Sequence, residues 1–261
     1  SKSDEGSKAK VAVLATAIEA DEVWRWTNAA GLMTADPHLL PAARLIPAIS
    51  YPELAELTYF GVRIVHAGAV RPLANKQIAL RIRNIFRPTV AGTRADSSEA
   101  SGAALKSIIG SHGLALSANC SGPLHSATQR VDAALYELTG SHIEAVLTAQ
   151  SAWRSVACFV IPISSGPDAL YGLMRLAQDR LAEADRGVWQ LRPAGIVTLA
   201  GAMQAGQPAV LAAALGRVSG LKVLAVSPNP SGLSISIALE LSDLPLAIAR
   251  LHDLILAGGT A

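Results

Sequence analysis

The chain has 261 residues, of which 51% are hydrophobic, 16% charged and only 4% aromatic. That is enough aliphatic material to fill the cores of two or three compact units. A net charge of +2 without a long basic block excludes the electrostatic footprint of a nucleic-acid binder. Two cysteines, Cys120 and Cys158, make neither a disulfide framework nor a zinc site by themselves. Both lie in apolar runs and read as buried thiols.

The polar first ten residues lack a secretory pattern, and free thiols suit a reducing cytoplasm. Residues 10–18 read as a helix packing through Val11, Leu14 and Ile18. VWRWT (23–27) reads as a strand, followed by a turn over 28–31. Ser50 is the expected N-cap of the next helix, with Glu53 as its capping-box partner and Leu54, Leu57 and Phe60 as its apolar stripe. Residues 70–75 suggest a short helix. IALRIRNI (78–85) alternates with period two, which places Ile78, Leu80 and Ile82 on one face of a strand. TRADSSEASGA (93–103) is small, polar and unpatterned, and reads as a linker.

Beyond it the pattern repeats after about 80 residues, as duplicated units do. The first half reads strand 114–120, helix 127–138, strands 143–149 and 156–163, and helix 168–181. The second reads strand 195–201, helix 209–217, strands 221–227 and 233–241, and helix 245–256. Each is β-α-β-β-α, one strand short of a ferredoxin-like unit, and 105–109 is a candidate for a missing strand. The uncharged stretch 193–216 is broken by Pro193, Gly195, Gly201, Gly206 and Pro208. It therefore reads as strand, loop and helix rather than as a membrane span. His38, His66, His112, His125, His142 and His252 are scattered without metal-ligand spacing.

MTADP, ARLIP, SYPELAELTYFG, RIRNIF and GT follow one another between Met33 and Thr93. In that order they resemble the C-terminal part of the aspartokinase catalytic domain. The tandem repeat resembles the ACT modules that follow it, and the likeness runs from about Ser3 to Leu256. It implies a fold of the α/β and α+β class, with the C-terminal part of an amino-acid-kinase domain followed by two ferredoxin-like ACT domains. The implied domains are 1–95, 96–182 and 183–261.

The resemblance also says what is changed. The Lys-Phe-Gly-Gly-Thr-Ser element of the family has no counterpart here. The Gly-Arg-Gly-Gly-Ser-Asp motif falls on SDEGSK (3–8), and the Trp-Thr-Asp-Val-Asp-Gly turn becomes WTNAAG (26–31). An arginine becomes His38, and a lysine becomes Arg63. No catalytic residue is assigned. A weak nucleotide-site remnant maps to Thr27, Asn28, Asp36 and Arg63, and ATP-Mg is the cofactor that it would hold.

An amino-acid effector site maps to Leu124, His125 and Ser126 at a helix start, where N–H groups meet a carboxylate. It maps equally to Thr148, Gln150 and Ser151 on the facing strand and turn. The acid that lysine-sensing members use is not matched, so an effector of the threonine class is as well implied as one of the lysine class. The leading expectation is a regulatory or assembly protein, catalytically incomplete, that forms a homodimer through its ACT domains or a complex with a full-length kinase. The alternatives are a fragment of an aspartate kinase (ATP plus L-aspartate to 4-phospho-L-aspartate) and a stand-alone amino-acid sensor. Neither a nucleic acid, a membrane nor a metal is expected as a partner.

Overall fold

The computed structural model describes residues 11–97, 105–118, 124–140, 142–143, 145–160, 167–185, 189–203 and 207–258. Cys120, Pro123 and the SDEGSK segment lie outside them. The described chain begins with a helix over 11–17 (α1) and strand β1 (Glu22–Thr27). Strand β2 (Ala48–Ser50), helices α2 (Tyr51–Tyr59) and α3 (Ala67–Asn75), and strands β3 (Ala79–Asn84) and β4 (Thr93–Asp96) follow. Their four-stranded sheet has the order β1-β3-β4-β2, with β1 parallel to β3 and β4 parallel to β2.

Local chemistry explains these elements. Ser50 caps α2 by accepting from the Glu53 amide, and Glu53 reaches back to the Ser50 amide. This is the capping box expected from the sequence. Ile78, just before β3, and Leu80 and Ile82 within it are buried in one core with Leu54, Leu57 and Leu73. α3 begins earlier than expected, because His66 caps it through Nδ1, 3.1 Å from the Gly68 amide. The supposed linker is corrected at its start. Thr93–Asp96 is β4, and Thr93 is buried, taking the Leu32 amide at 2.8 Å and donating to the Ile46 carbonyl at 2.6 Å. A β-branched residue with two buried partners belongs to a sheet, and no local pattern reveals those partners. Gly31 ends the preceding turn at φ +152°, where a Cβ would lie 2.6 Å from Thr93 Oγ1.

The second sheet has the order β6-β7-β5-β8-β10-β9. Its members are β5 (Leu105–Ala118), β6 (Ala145–Gln150), β7 (Ser155–Val160), β8 (Gln190–Gly201), β9 (Val223–Pro228) and β10 (Ser234–Glu240). The expected extra strand over 105–109 is the first part of β5 itself, which pairs antiparallel with β8 along its length. Two three-stranded halves thus complete each other along β5 and β8, and the free edge of one becomes the partner of the other. Helices α4 (Leu124–Thr139), α5 (Pro167–Asp185), α6 (Gln207–Arg217) and α7 (Leu244–Gly258) cover one face. On the other face Ala115, Ala194, Ala225 and Ala238 pack with Leu147, Val156, Cys158 and Ile196. These small side chains let the sheet curl until its edge strands β6 and β9 touch. Cys158 is buried there, and burial pushes its thiol up to about 12.

The kinase-type segment is tied to the modules. Ile109 and Ala200 enter its core. Ser107 Oγ donates to the Met33 carbonyl at 3.0 Å, and Ser111 Oγ to the Phe60 carbonyl at 3.0 Å. Buried His252 of α7 places Nε2 2.8 Å from Thr34 Oγ1. Burial lowers the pKa of His252 from about 6.5, Asp253 opposes this and Arg44 adds to it. The folded state therefore binds fewer protons than the unfolded state just below that pH. The stability this provides is complete above about pH 6.5 and falls on acidification toward the folded pKa. His252→Gln is expected to lose less melting temperature than the unaltered chain between about pH 7 and pH 5. Scanning calorimetry at both pH values checks this; parallel losses would contradict it.

Candidate functional site

Three places gather polar side chains. The first is the turn after β1, where the resemblance implies a nucleotide-site remnant. Asn84 Nδ2 donates to the Asn28 carbonyl at 2.8 Å, and Asn84 Oδ1 accepts from the amides of Phe86 (2.7 Å) and Arg87 (3.0 Å). One asparagine therefore ties the turn over 28–31 to the segment after β3. Asn28, Ala30, Asn84, Phe86, Arg87 and Val90 line the pocket between them. Thr27 Oγ1 accepts from the Ala29 amide at 3.3 Å and shapes the turn. Asp36 accepts from the His38 amide at 2.9 Å, and its carbonyl takes the Leu39 and Leu40 amides. Asp36 thus organises a turn. Neither it nor Arg63, which lies between α2 and α3, is part of this lining. Sequence reasoning did not single out Asn84, in the RIRNIF segment that carries the resemblance, or Arg87 just after it; the folding of 85–90 back onto the turn makes them neighbours of Asn28.

The second place is one end of the first module. β5 finishes at Ala118, opposite Ser155 of β7, and Ser155 is opposite Gln150 of β6. The start of α4 and the turn after β6 therefore belong to the same end of the sheet. Leu124 and Ser126 are half-buried and His125 is exposed; Thr148, Gln150 and Ser151 are exposed. Ser151 organises the turn: its amide donates to the Arg154 carbonyl at 2.8 Å, and its Oγ accepts from the Arg154 amide at 3.1 Å. Trp153 projects from that turn and is 84% exposed.

The third place is the corresponding end of the second module, which the sequence did not suggest as a site. β8 finishes at Gly201, β10 starts at Ser234 and β9 finishes at Pro228. Here α2 of the kinase-type segment closes the end. Glu53 is fully buried; its Oε2 accepts from Ser50 N and Oγ, both at 2.9 Å, and its Oε1 from the Ala202 amide at 3.1 Å. Glu56, one helical turn on, accepts from Ser234 Oγ at 2.7 Å and from Asn229 Nδ2 at 3.2 Å. Gln207 Nε2, at the start of α6, donates to the Asn229 carbonyl at 3.0 Å and the Ser234 carbonyl at 3.3 Å. The two ends are equivalent by topology, yet among the described residues α2 bonds to the second and not to the first. Among the described residues, no group of three His, Cys, Asp or Glu converges as for a metal. Among them, too, no helix is long and apolar enough to cross a membrane.

A kinase-type α/β segment joined to two ferredoxin-like modules defines the class. Residues 6–84 match the model of the amino acid kinase family. The bifunctional aspartokinase/homoserine dehydrogenase of Haemophilus influenzae is 32% identical over 162 residues, covering 61% of this chain and 20% of that protein. The aspartokinase of Schizosaccharomyces pombe is 40% identical over 82 residues, 31% of this chain and 16% of that protein. The crystal structure of E. coli aspartokinase III with aspartate and ADP superposes with a TM-score of 0.74 at 19% identity. It covers 96% of this chain and 56% of that one. Over these residues the chain is similar to aspartokinases, and it shares their fold. It spans a fifth or less of the length of the curated relatives described here.

Proposed function

We infer that the chain is the amino-acid-sensing part of an aspartokinase-family protein, organised as units 1–95, 96–182 and 183–261. The observation that carries this reading is the asymmetry between the module ends. Among the described residues the second is bonded to α2 through Glu53 and Glu56, whereas the first leaves His125, Thr148, Gln150 and Ser151 exposed. Amide donors at a helix start suit a carboxylate, and strand-end hydroxyls and carbonyls suit an ammonium. Support comes from another crystal structure of E. coli aspartokinase III, which holds lysine and aspartate and superposes with a TM-score of 0.71. The effector is a free amino acid of the threonine or lysine class. Its partner is a second copy, or a kinase that supplies the phosphate-binding element unmatched here.

Titration of the full chain with L-threonine and L-lysine by calorimetry tests this. One of them is expected to bind and to raise the melting temperature. Ser151→Ala, which loosens the turn, should weaken binding about tenfold, or about 1.4 kcal/mol. An unaltered affinity in Ser151→Ala, or silence with both amino acids, would overturn the assignment. A second reading, ATP-Mg held at the turn over 28–31, rests on the Asn28–Arg87 pocket. It is tested by adding ATP-Mg to the same titration and to Arg87→Ala.

A further inference from the structure

The pocket beside Glu56 has a chemistry of its own. Glu56 is half-buried, and its carboxylate receives Ser234 Oγ, Asn229 Nδ2 and, at 3.4 Å, Ser231 Oγ. Among the described residues all of these donors are neutral. A carboxylate met only by neutral donors suits a cation as a further partner.

A cavity of about 280 Å³ opens next to it, near the lower limit of small-molecule sites at roughly 300–1,000 Å³. Tyr59, Phe60, Val146 and Pro230 form apolar walls, and Ser227 and Ser236 add hydroxyls. Tyr59 and Phe60 stand edge to face with centroids 5.0 Å apart, which leaves a firm aromatic wall. A hard metal ion needs several charged or carbonyl oxygens around it. One carboxylate facing apolar walls suits a cationic head on a short carbon skeleton instead.

We propose that this pocket binds a small molecule carrying a primary ammonium group. The ammonium sits on Glu56, and the skeleton lies against Tyr59, Val146 and Pro230. The occupant touches α2, the first module through β6, and the second module through β9 and β10. It therefore ties the kinase-type segment to both modules where the sheet edges meet, and favours the arrangement in which all three are in place. This site shares no residue with the first-module end.

The test uses the full chain with n-propylamine and 1,4-diaminobutane at neutral pH, with sodium propionate and potassium chloride at matched ionic strength. The amines are expected to bind by calorimetry and raise the melting temperature, and the salts to do neither. Glu56→Gln should weaken amine binding at least about tenfold. Because Glu56→Gln also touches the contact with Ser234, Val146→Trp serves as a second variant. It fills the cavity, leaves the Glu56 bonds in place, and should abolish amine binding. Silence of the unaltered chain, undiminished binding to both variants, or an equal response to potassium or propionate overturns the proposal. Ser151→Ala should bind the amines normally, so failure here and failure of the first-module reading are separately visible.

Discussion

Replacing Glu53 by alanine is expected to lower the unfolding free energy by about 2–4 kcal/mol. Three donors converge on this carboxylate, Ser50 N, Ser50 Oγ and the Ala202 amide, and the side chain is fully buried. Alanine removes the capping box and leaves those donors in a dry environment, so each loses an acceptor that water cannot replace. The effect extends beyond α2, because the Ala202 amide directly follows β8. Glu53→Gln keeps the shape but turns an amide NH₂ toward one of the donors, so it should fall between alanine and the unaltered chain. Urea unfolding followed by circular dichroism measures both variants. A loss below about 0.5 kcal/mol for alanine, the range of ordinary surface substitutions, would mean that the carboxylate joins nothing that matters to stability.

Phe159→Ala should cost about 3–5 kcal/mol, the range for emptying a large aromatic site in a closed core. Phe159 is 1% exposed and packs with Leu114, Leu116, Val131 and Leu135 under α4. Its backbone cannot shift to refill the space. The Phe159 carbonyl lies 2.3 Å from where a Cβ on Gly113 would stand, so β5 and β7 are already as close as glycine permits. Trp153→Ala, in the turn just before β7, is the control. Trp153 is 84% exposed, and its loss should stay within about 0.5 kcal/mol. Equal losses for the two aromatics in urea unfolding would refute this account of the core.

Much of the local structure was legible in the sequence. The Ser50–Glu53 capping box, the period-two face of Ile78, Leu80 and Ile82, and the repeated β-α-β-β-α order rest on neighbours a few residues apart, and all of them recur in the structure. The first-module residues lie on a helix start and a strand end, which are local features, and β5, β7 and β6 carry them to one end of the sheet. Asp36 and Arg63 were placed by resemblance alone, and the pocket beside Asn28 is lined instead by Asn84, Phe86 and Arg87.

By itself, then, the sequence determined the elements, their order and the family likeness, because periodicity, capping and motif order are written within short windows of chain. Only the tertiary structure decided what those elements meet. It made 105–109 part of β5, because β8 supplies a partner along the whole strand. It made Thr93–Asp96 a strand, because β2 and β3 flank it. It also turned Glu56, an unremarked helix residue, into the floor of a pocket whose other walls lie up to 180 positions away in the chain. Such contacts depend on how separate elements pack, and that is set by the combined burial of many side chains rather than by any local run of residues.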